Sequence, residues 1–182
     1  MIKMIAFDLV GVLVSEKDIE LTEVENKLER MFGPNINDSD FITLASKLTN
    51  KDIIKITEEL IFKLYKIRES NLFEKIKTKF PKVKIIIATN HVSYVREYLE
   101  KEFDSNFLDD IVISAEINKI KPDKEYYKYI LNRYDLLPNE LLFLDDNIDN
   151  VITAKSIGIN TIKVDKNTVL SEEVLRFLDD NK

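Results

Sequence analysis

Ile5-Ala6-Phe7-Asp8-Leu9-Val10-Gly11-Val12-Leu13-Val14 is the stretch on which the reading of this chain turns. An apolar run carries one carboxylate, Asp8, to the end of a predicted buried strand, and Gly11 turns the backbone just beyond it. A carboxylate placed there is costly to bury unless a cation or strong hydrogen-bond donors meet it. Taken alone, the stretch reads equally well as a strand and a turn that Asp8 merely caps. The rest of the chain decides between the two.

Working outward, Ile2 to Leu9 has the short, apolar, β-rich composition of a strand buried on both faces. Helical spacing follows for about 65 residues, well beyond the usual crossover between parallel strands. The segments are Lys17 to Phe32, stopped at Gly33-Pro34-Asn35; Ser39 to Leu48, with Asp38 or Ser39 as N-cap; a stripe from Ile53 to Ile67; and Leu72 to Phe80, ended by Pro81. From Val83 the rhythm alternates. Strands are predicted over Val83–Ala88, Ile111–Ile113, Leu141–Leu144 and Asn160–Val164. The helices between and after them cover Ser93–Phe103, Asp123–Tyr134, Asn150–Ile157 and Ser171–Leu178. This pattern predicts an α/β fold: a Rossmann-like parallel sheet with helices on both faces and a small helical cap inserted after the first strand. The expected division is a core of residues 1–14 and 72–182 and a cap of residues 15–71.

Composition narrows the class. The chain has 182 residues, 45% of them hydrophobic and 33% charged, with a net charge of −6 and no cysteine. Disulfides and thiolate metal sites are excluded. No apolar run reaches membrane-spanning length, and Asp8 interrupts what might pass for a signal peptide. A cytoplasmic protein is expected. The acidic balance and the lack of a long basic block argue against nucleic acid as the main partner.

In open parallel sheets, ligands bind beyond the carboxyl ends of the strands. Asp8 follows the first apolar run, Thr89 and Asn90 the second, and Asp145, Asp146, Asn147, Asp149 and Asn150 the fourth. Lys121 sits in a loop beside the third, within Lys119-Ile120-Lys121-Pro122-Asp123. Carboxylates from two strand ends suit Mg²⁺, which prefers oxygen ligands. A lysine and a hydroxyl beside them suit the oxygens of a phosphate. Each residue also has a plainer reading: helix caps for Thr89-Asn90 and Asp145-Asp146, and a surface lysine for Lys121. The four tyrosines of Tyr126 to Tyr134 are expected to pack, the lysines from Lys75 to Lys84 to form a solvated face, and His91, the single histidine, to be a loop residue near the site entrance rather than a catalytic base.

The segments Phe7-Asp8-Leu9-Val10-Gly11-Val12-Leu13, Ala88-Thr89-Asn90, Ile120-Lys121-Pro122-Asp123 and Phe143-Leu144-Asp145-Asp146-Asn147, with Gly158-Ile159 after the last helix, occur in register. In this the chain resembles the haloacid dehalogenase superfamily, within its short-capped branch that includes sugar-phosphate phosphatases. The resemblance implies a Mg²⁺-dependent phosphatase acting on a small phosphorylated metabolite. Asp8 would attack phosphorus and form an aspartyl-phosphate. Thr89, Asn90, Lys121 and the backbone of Leu9 and Val10 would bind the phosphoryl group. Asp8, the Val10 carbonyl, Asp146 and Asp145, the last directly or through water, would hold the metal. Substrate choice would belong to the cap.

One departure matters. The family usually has aspartate two residues after the nucleophile, where this chain has Val10. Its carbonyl can still bind a metal, but it cannot protonate a leaving oxygen or activate water. That help is typically worth about 10²–10⁴ in rate. Three expectations compete: slow turnover; a substrate whose leaving group needs little protonation, such as an acyl or anomeric phosphate; or a substitute group among Ser15, Glu16, His91 and Glu116. A catalytically impaired relative that binds a phosphorylated ligand or partner is the alternative function. Metal-free dehalogenation comes third, disfavoured because it has little use for Asp145 and Asp146. Neither substrate identity nor oligomeric state is written in these residues.

Overall fold

The structure is a computed structural model that describes residues 1–33 and 37–181. Among the described residues, β1 (Met4–Phe7), β4 (Lys84–Thr89), β5 (Asp110–Ile113), β6 (Leu141–Asp145) and β7 (Asn160–Lys163) form one parallel sheet in the order β5-β4-β1-β6-β7. β1 lies at the centre, with Phe7 in register with both Ile87 and Leu144. Successive side chains of a strand point to opposite faces, and both faces of this sheet are apolar. Ile5, Phe7, Ile85, Ile87, Leu142 and Leu144 pack on one side; Met4, Ala6, Ile86, Ala88, Leu141 and Phe143 pack on the other. That is why the strands read as unbroken apolar runs.

Helices cover both sides. α4 (Leu72–Lys79), α5 (Arg96–Glu102) and α9 (Leu170–Asp180) contribute Phe73, Leu99 and Val174 to the first face. α7 (Lys124–Arg133) and α8 (Ile148–Ser156) contribute Tyr126, Tyr127, Ile130 and Ala154 to the second. Burying a side chain of this size contributes roughly 1.5–3 kcal/mol, so the two layers fix β1 at the middle of the molecule. Tyr126 and Tyr127 pack as expected, with their hydroxyls donating to the carbonyls of Val112 and Asn150.

Between β1 and α4 the chain forms a short antiparallel ribbon, β2 (Val14–Glu16) with β3 (Tyr65–Ile67). The ribbon brackets a helical block of α1 (Glu23–Glu29), α2 (Asp38–Ala45) and α3 (Ile53–Leu64). Leu28, Phe41, Leu60 and Ile61 join the same apolar cluster as the first sheet face. Several sequence boundaries are corrected here. α1 starts at Glu23, not Lys17, because Thr22 and Glu25 close a capping box. α2 is capped by Asn37, whose side chain accepts from the Asp40 N–H, not by Asp38 or Ser39. Ile67 leaves the helical stripe and pairs with Val14 in the ribbon. Of the stop signal Gly33-Pro34-Asn35, Pro34 and Asn35 lie outside the described residues. The lysine-rich stretch is ion-paired in part: Lys75 with Glu69, Lys77 with Asp109 and Lys79 with Asp179. No helix among the described residues is long and apolar enough to cross a membrane.

Candidate active site

The register of the sheet brings the ends of β1, β4 and β6 side by side, so Asp8, Thr89 and Asp145 open onto one rim. The Asp8 N–H continues the ladder by donating to the Leu144 carbonyl at 2.9 Å, which holds the nucleophile candidate against β6. Lys121 reaches the same point from the loop before α7. Its Nζ donates to Asp8 Oδ1 at 2.7 Å, to Asp145 Oδ2 at 2.8 Å and to the Ala88 carbonyl at 2.9 Å. All three donor positions of the ammonium are thus spent. It is buried, and so are both carboxylates.

Sequence reasoning found Asn90 but not its use. Its side chain grips the backbone of Lys121 at both ends: Nδ2 donates to the carbonyl at 2.8 Å, and Oδ1 accepts from the N–H at 2.9 Å. The Lys121–Pro122 peptide is cis. Asn90 therefore sets the lysine, and only its backbone is left to meet a ligand. Asn150, read as a helix start, lies inside α8 instead; Asn147 caps that helix by accepting from the Asp149 N–H. The Asn150 amide donates to both Asp145 oxygens at 3.0 Å, and the Asn147 N–H donates to Asp145 Oδ1 at 2.8 Å. Counting Lys121, the Asp145 carboxylate is fully engaged.

Asp146 is different: exposed, turned toward the loop after β1, and seated on Gly11. A Cβ on Gly11 would stand 2.2 Å from Asp146 Oδ2, and the backbone there has φ +84°. Glycine meets both demands. One oxygen from each of Asp8, Asp145 and Asp146 lies within 4.8 Å of the others. An all-oxygen set of this charge fits Mg²⁺ in its donor chemistry. Arg68, at the foot of the ribbon, clasps the Gly11 carbonyl together with the carbonyls of Asp165, Lys166 and Thr168. The turn after Asp8 is thereby tied to the helical block and to the segment after β7.

The electrostatics follow from burial. Desolvation pushes the Asp8 carboxyl up to about 7, with Lys121 pulling it down and the charge of Asp145 adding to the rise. Burial alone would lower Lys121, but the two carboxylates outweigh it and hold the ammonium above its ordinary value. Burial and the charge of Asp145 raise Asp146. The Thr89 side chain is buried beside the rim.

His91 is buried. Its Nδ1 meets the Val92 carbonyl at 3.1 Å, which can only accept, so Nδ1 carries the hydrogen and Nε2 accepts from the Tyr65 hydroxyl at 2.9 Å. Burial pushes the imidazole down to about 4. It is not the residue at a site entrance that its loop position suggested. Glu116 lies on α6 (Ser114–Ile117), with both oxygens held by Arg96 at 2.7 and 2.6 Å.

Residues 5–164 match the haloacid dehalogenase-like hydrolases, and the chain belongs to that family. It is 29% identical over 126 residues to the phosphorylated carbohydrates phosphatase of Thermotoga maritima, covering 68% of this chain and 56% of that protein. It is 29% identical over 123 residues to acyl-CoA dehydrogenase family member 10 of Mus musculus, covering 68% and 11%. The chain spans between 11% and 31% of the length of the first three curated relatives it matches. Among solved structures, a HAD-like family hydrolase from Porphyromonas gingivalis superposes with a TM-score of 0.75 at 21% identity, covering 98% of each chain. A HAD family enzyme from Bacteroides thetaiotaomicron, solved with magnesium and inorganic phosphate, gives 0.73 at 17% identity, covering 95% of this chain and 99% of that one. These likenesses establish the fold.

Proposed function

We propose that the chain is a Mg²⁺-dependent phosphatase that hydrolyses a small phosphorylated metabolite through an aspartyl-phosphate on Asp8, and that Val10 makes it slow. The observation that carries this reading is the convergence of Asp8, Asp145 and Asp146 at one rim with Lys121 between two of them. Asp8, Asp146 and the Val10 carbonyl would hold the metal. Asp145, its oxygens already engaged, would serve from one layer behind. The bound ion would offset the repulsion between a carboxylate nucleophile and an anionic phosphate, the main barrier in this chemistry. Lys121 neutralises charge shared by Asp8 and the phosphoryl group. The Thr89 hydroxyl and the backbone of Leu9, Val10 and Asn90 hold the phosphoryl oxygens. Residues 15–71 act as a cap and choose the substrate. The likeness to the phosphorylated carbohydrates phosphatase of Thermotoga maritima favours a sugar phosphate.

The test is phosphate release from para-nitrophenyl phosphate and a panel of phosphorylated metabolites, with Mg²⁺ and with a chelator, beside Asp8→Asn. Release that needs both Mg²⁺ and Asp8 is expected. Equal release from Asp8→Asn would overturn the reading.

A further inference from the structure

We propose that Glu16 supplies the proton that Val10 cannot, as general acid and then general base of the reaction; the inference rests on the phosphatase reading above. The group wanted is a titratable side chain on the Val10 side of Asp8, unpaired and open to a ligand. The contacts dispose of the other candidates. His91 has both ring nitrogens engaged and is held neutral. Glu116 is locked to Arg96. Tyr65 is buried, donates its proton to His91, and has its phenol driven far above its ordinary value by desolvation. Ser15 lines the same cavity as Glu16, but a serine hydroxyl with no base beside it does not exchange protons readily.

Glu16 meets the requirements. It pairs across the ribbon with Tyr65, so the two side chains share a face. Burial, and after it the charges of Glu16 and Asp8 among others, raise the Tyr65 phenol. Glu16, Val10 and Gly11 line one open cavity of about 910 Å³, so Glu16 stands on the same cavity wall as the position that lacks the aspartate. Its carboxylate has no hydrogen-bond or ion-pair partner among the described residues, unlike Glu69 in the same cavity. The charged and titratable groups around it are Glu29 from α1, Tyr65 from β3, and Lys66, Arg68, Glu69 and Lys166 across the cavity. Partial burial and the charge of Glu29 hold the Glu16 carboxyl above its ordinary value, which enlarges the protonated share that an acid needs.

The proton balance closes. An Asp8 oxygen bonds to phosphorus, the bond from phosphorus to the leaving oxygen breaks, and that oxygen takes the Glu16 proton. Glu16, now a carboxylate, takes a proton from the water that attacks the phosphorus of the aspartyl-phosphate. The bond from phosphorus to Asp8 then breaks, releasing inorganic phosphate, free Asp8 and a protonated Glu16.

The experiment measures leaving-group release in single turnover, enzyme in excess with Mg²⁺, for aryl phosphates of graded leaving-group acidity. Single turnover reads the first step alone. Wild type, Glu16→Gln and Asp8→Asn are compared. The expected result is a steeper dependence on leaving-group acidity in Glu16→Gln, with a loss of about 10²–10⁴-fold on the poorest leaving group that shrinks as the leaving group becomes more acidic. A uniform loss across the series, or none, would overturn the role of Glu16 while leaving the phosphatase reading intact. No Asp8-dependent release from wild type would overturn both.

Discussion

Replacing Lys121 by methionine leaves a side chain of similar length and removes the one cation between Asp8 and Asp145. Three acceptors lose a donor at once: the two carboxylates, at 2.7 and 2.8 Å, and the Ala88 carbonyl at 2.9 Å. The lysine side chain is 1% exposed and those of Asp8 and Asp145 are 12% and 0% exposed, so water replaces little of what is lost. Breaking a buried pair by removing one partner costs about 3–5 kcal/mol. For a chain of this length that corresponds to a fall in melting temperature of roughly 6–20 °C. The assay is thermal unfolding followed by circular dichroism, in chelator, from about pH 8 down to about pH 6. Asp8 already sits near 7 with the lysine in place, and without it the carboxyl holds its proton to higher pH. A carboxyl raised on folding costs stability above its folded value and returns it as the pH falls through that value. The deficit should therefore be largest at the alkaline end and shrink on acidification, and Mg²⁺ should recover part of it. A deficit below about 2 °C at the alkaline end, where roughly 6 °C or more is expected, would refute the reasoning, as would one that grows as the pH falls.

Three further outcomes are expected. Gly11→Ala puts a Cβ where the Asp146 carboxylate sits and forces a left-handed backbone on alanine at roughly 1–2 kcal/mol; Mg²⁺ affinity, titrated by calorimetry, should drop at least tenfold, and unchanged affinity would remove Asp146 from the ligand set. Mg²⁺ must displace the proton that Asp8 holds near 7, so apparent affinity should fall about tenfold per pH unit below that value; a flat profile from about pH 8 to about pH 5 would contradict the burial argument. Val10→Asp should raise turnover on simple phosphate monoesters, by at most the roughly 10²–10⁴-fold that a placed acid–base group supplies; no gain over a wild type that is already fast would show that valine limits nothing.

The core of the fold was legible because parallel strands buried on both faces leave an unmistakable apolar signature, as in Ile85-Ile86-Ile87 and Leu142-Phe143-Leu144. Asp8, Thr89, Lys121 and Asp145 were legible for the same reason: each stands where such a run ends or at the loop beside it. The ribbon of Val14–Glu16 and Tyr65–Ile67 was not, since three residues per strand carry no measurable period and its pairing spans the whole helical block. The use of Asn150, and Arg68 altogether, escaped for another reason. One acts from within α8 on Asp145 and the other on carbonyls from two distant parts of the chain, and neither kind of partnership leaves a local pattern. The Gly11–Asp146 contact has a signal only in retrospect, the glycine three residues after the nucleophile candidate. The His91 reading failed because its neighbours in space, Phe32 and Tyr65, lie far away in sequence.

Every role assigned above depends on whether the Asp8 oxygen forms a bond to phosphorus. The most direct measurement incubates the protein with acetyl phosphate and Mg²⁺, quenches it in acid, and maps any phosphate adduct by mass spectrometry. The expected result is an acyl-phosphate on the peptide containing Asp8, dependent on Mg²⁺ and absent from Asp8→Asn. Phosphate release at an undiminished rate from Asp8→Asn, with no adduct on the wild-type protein, would contradict it.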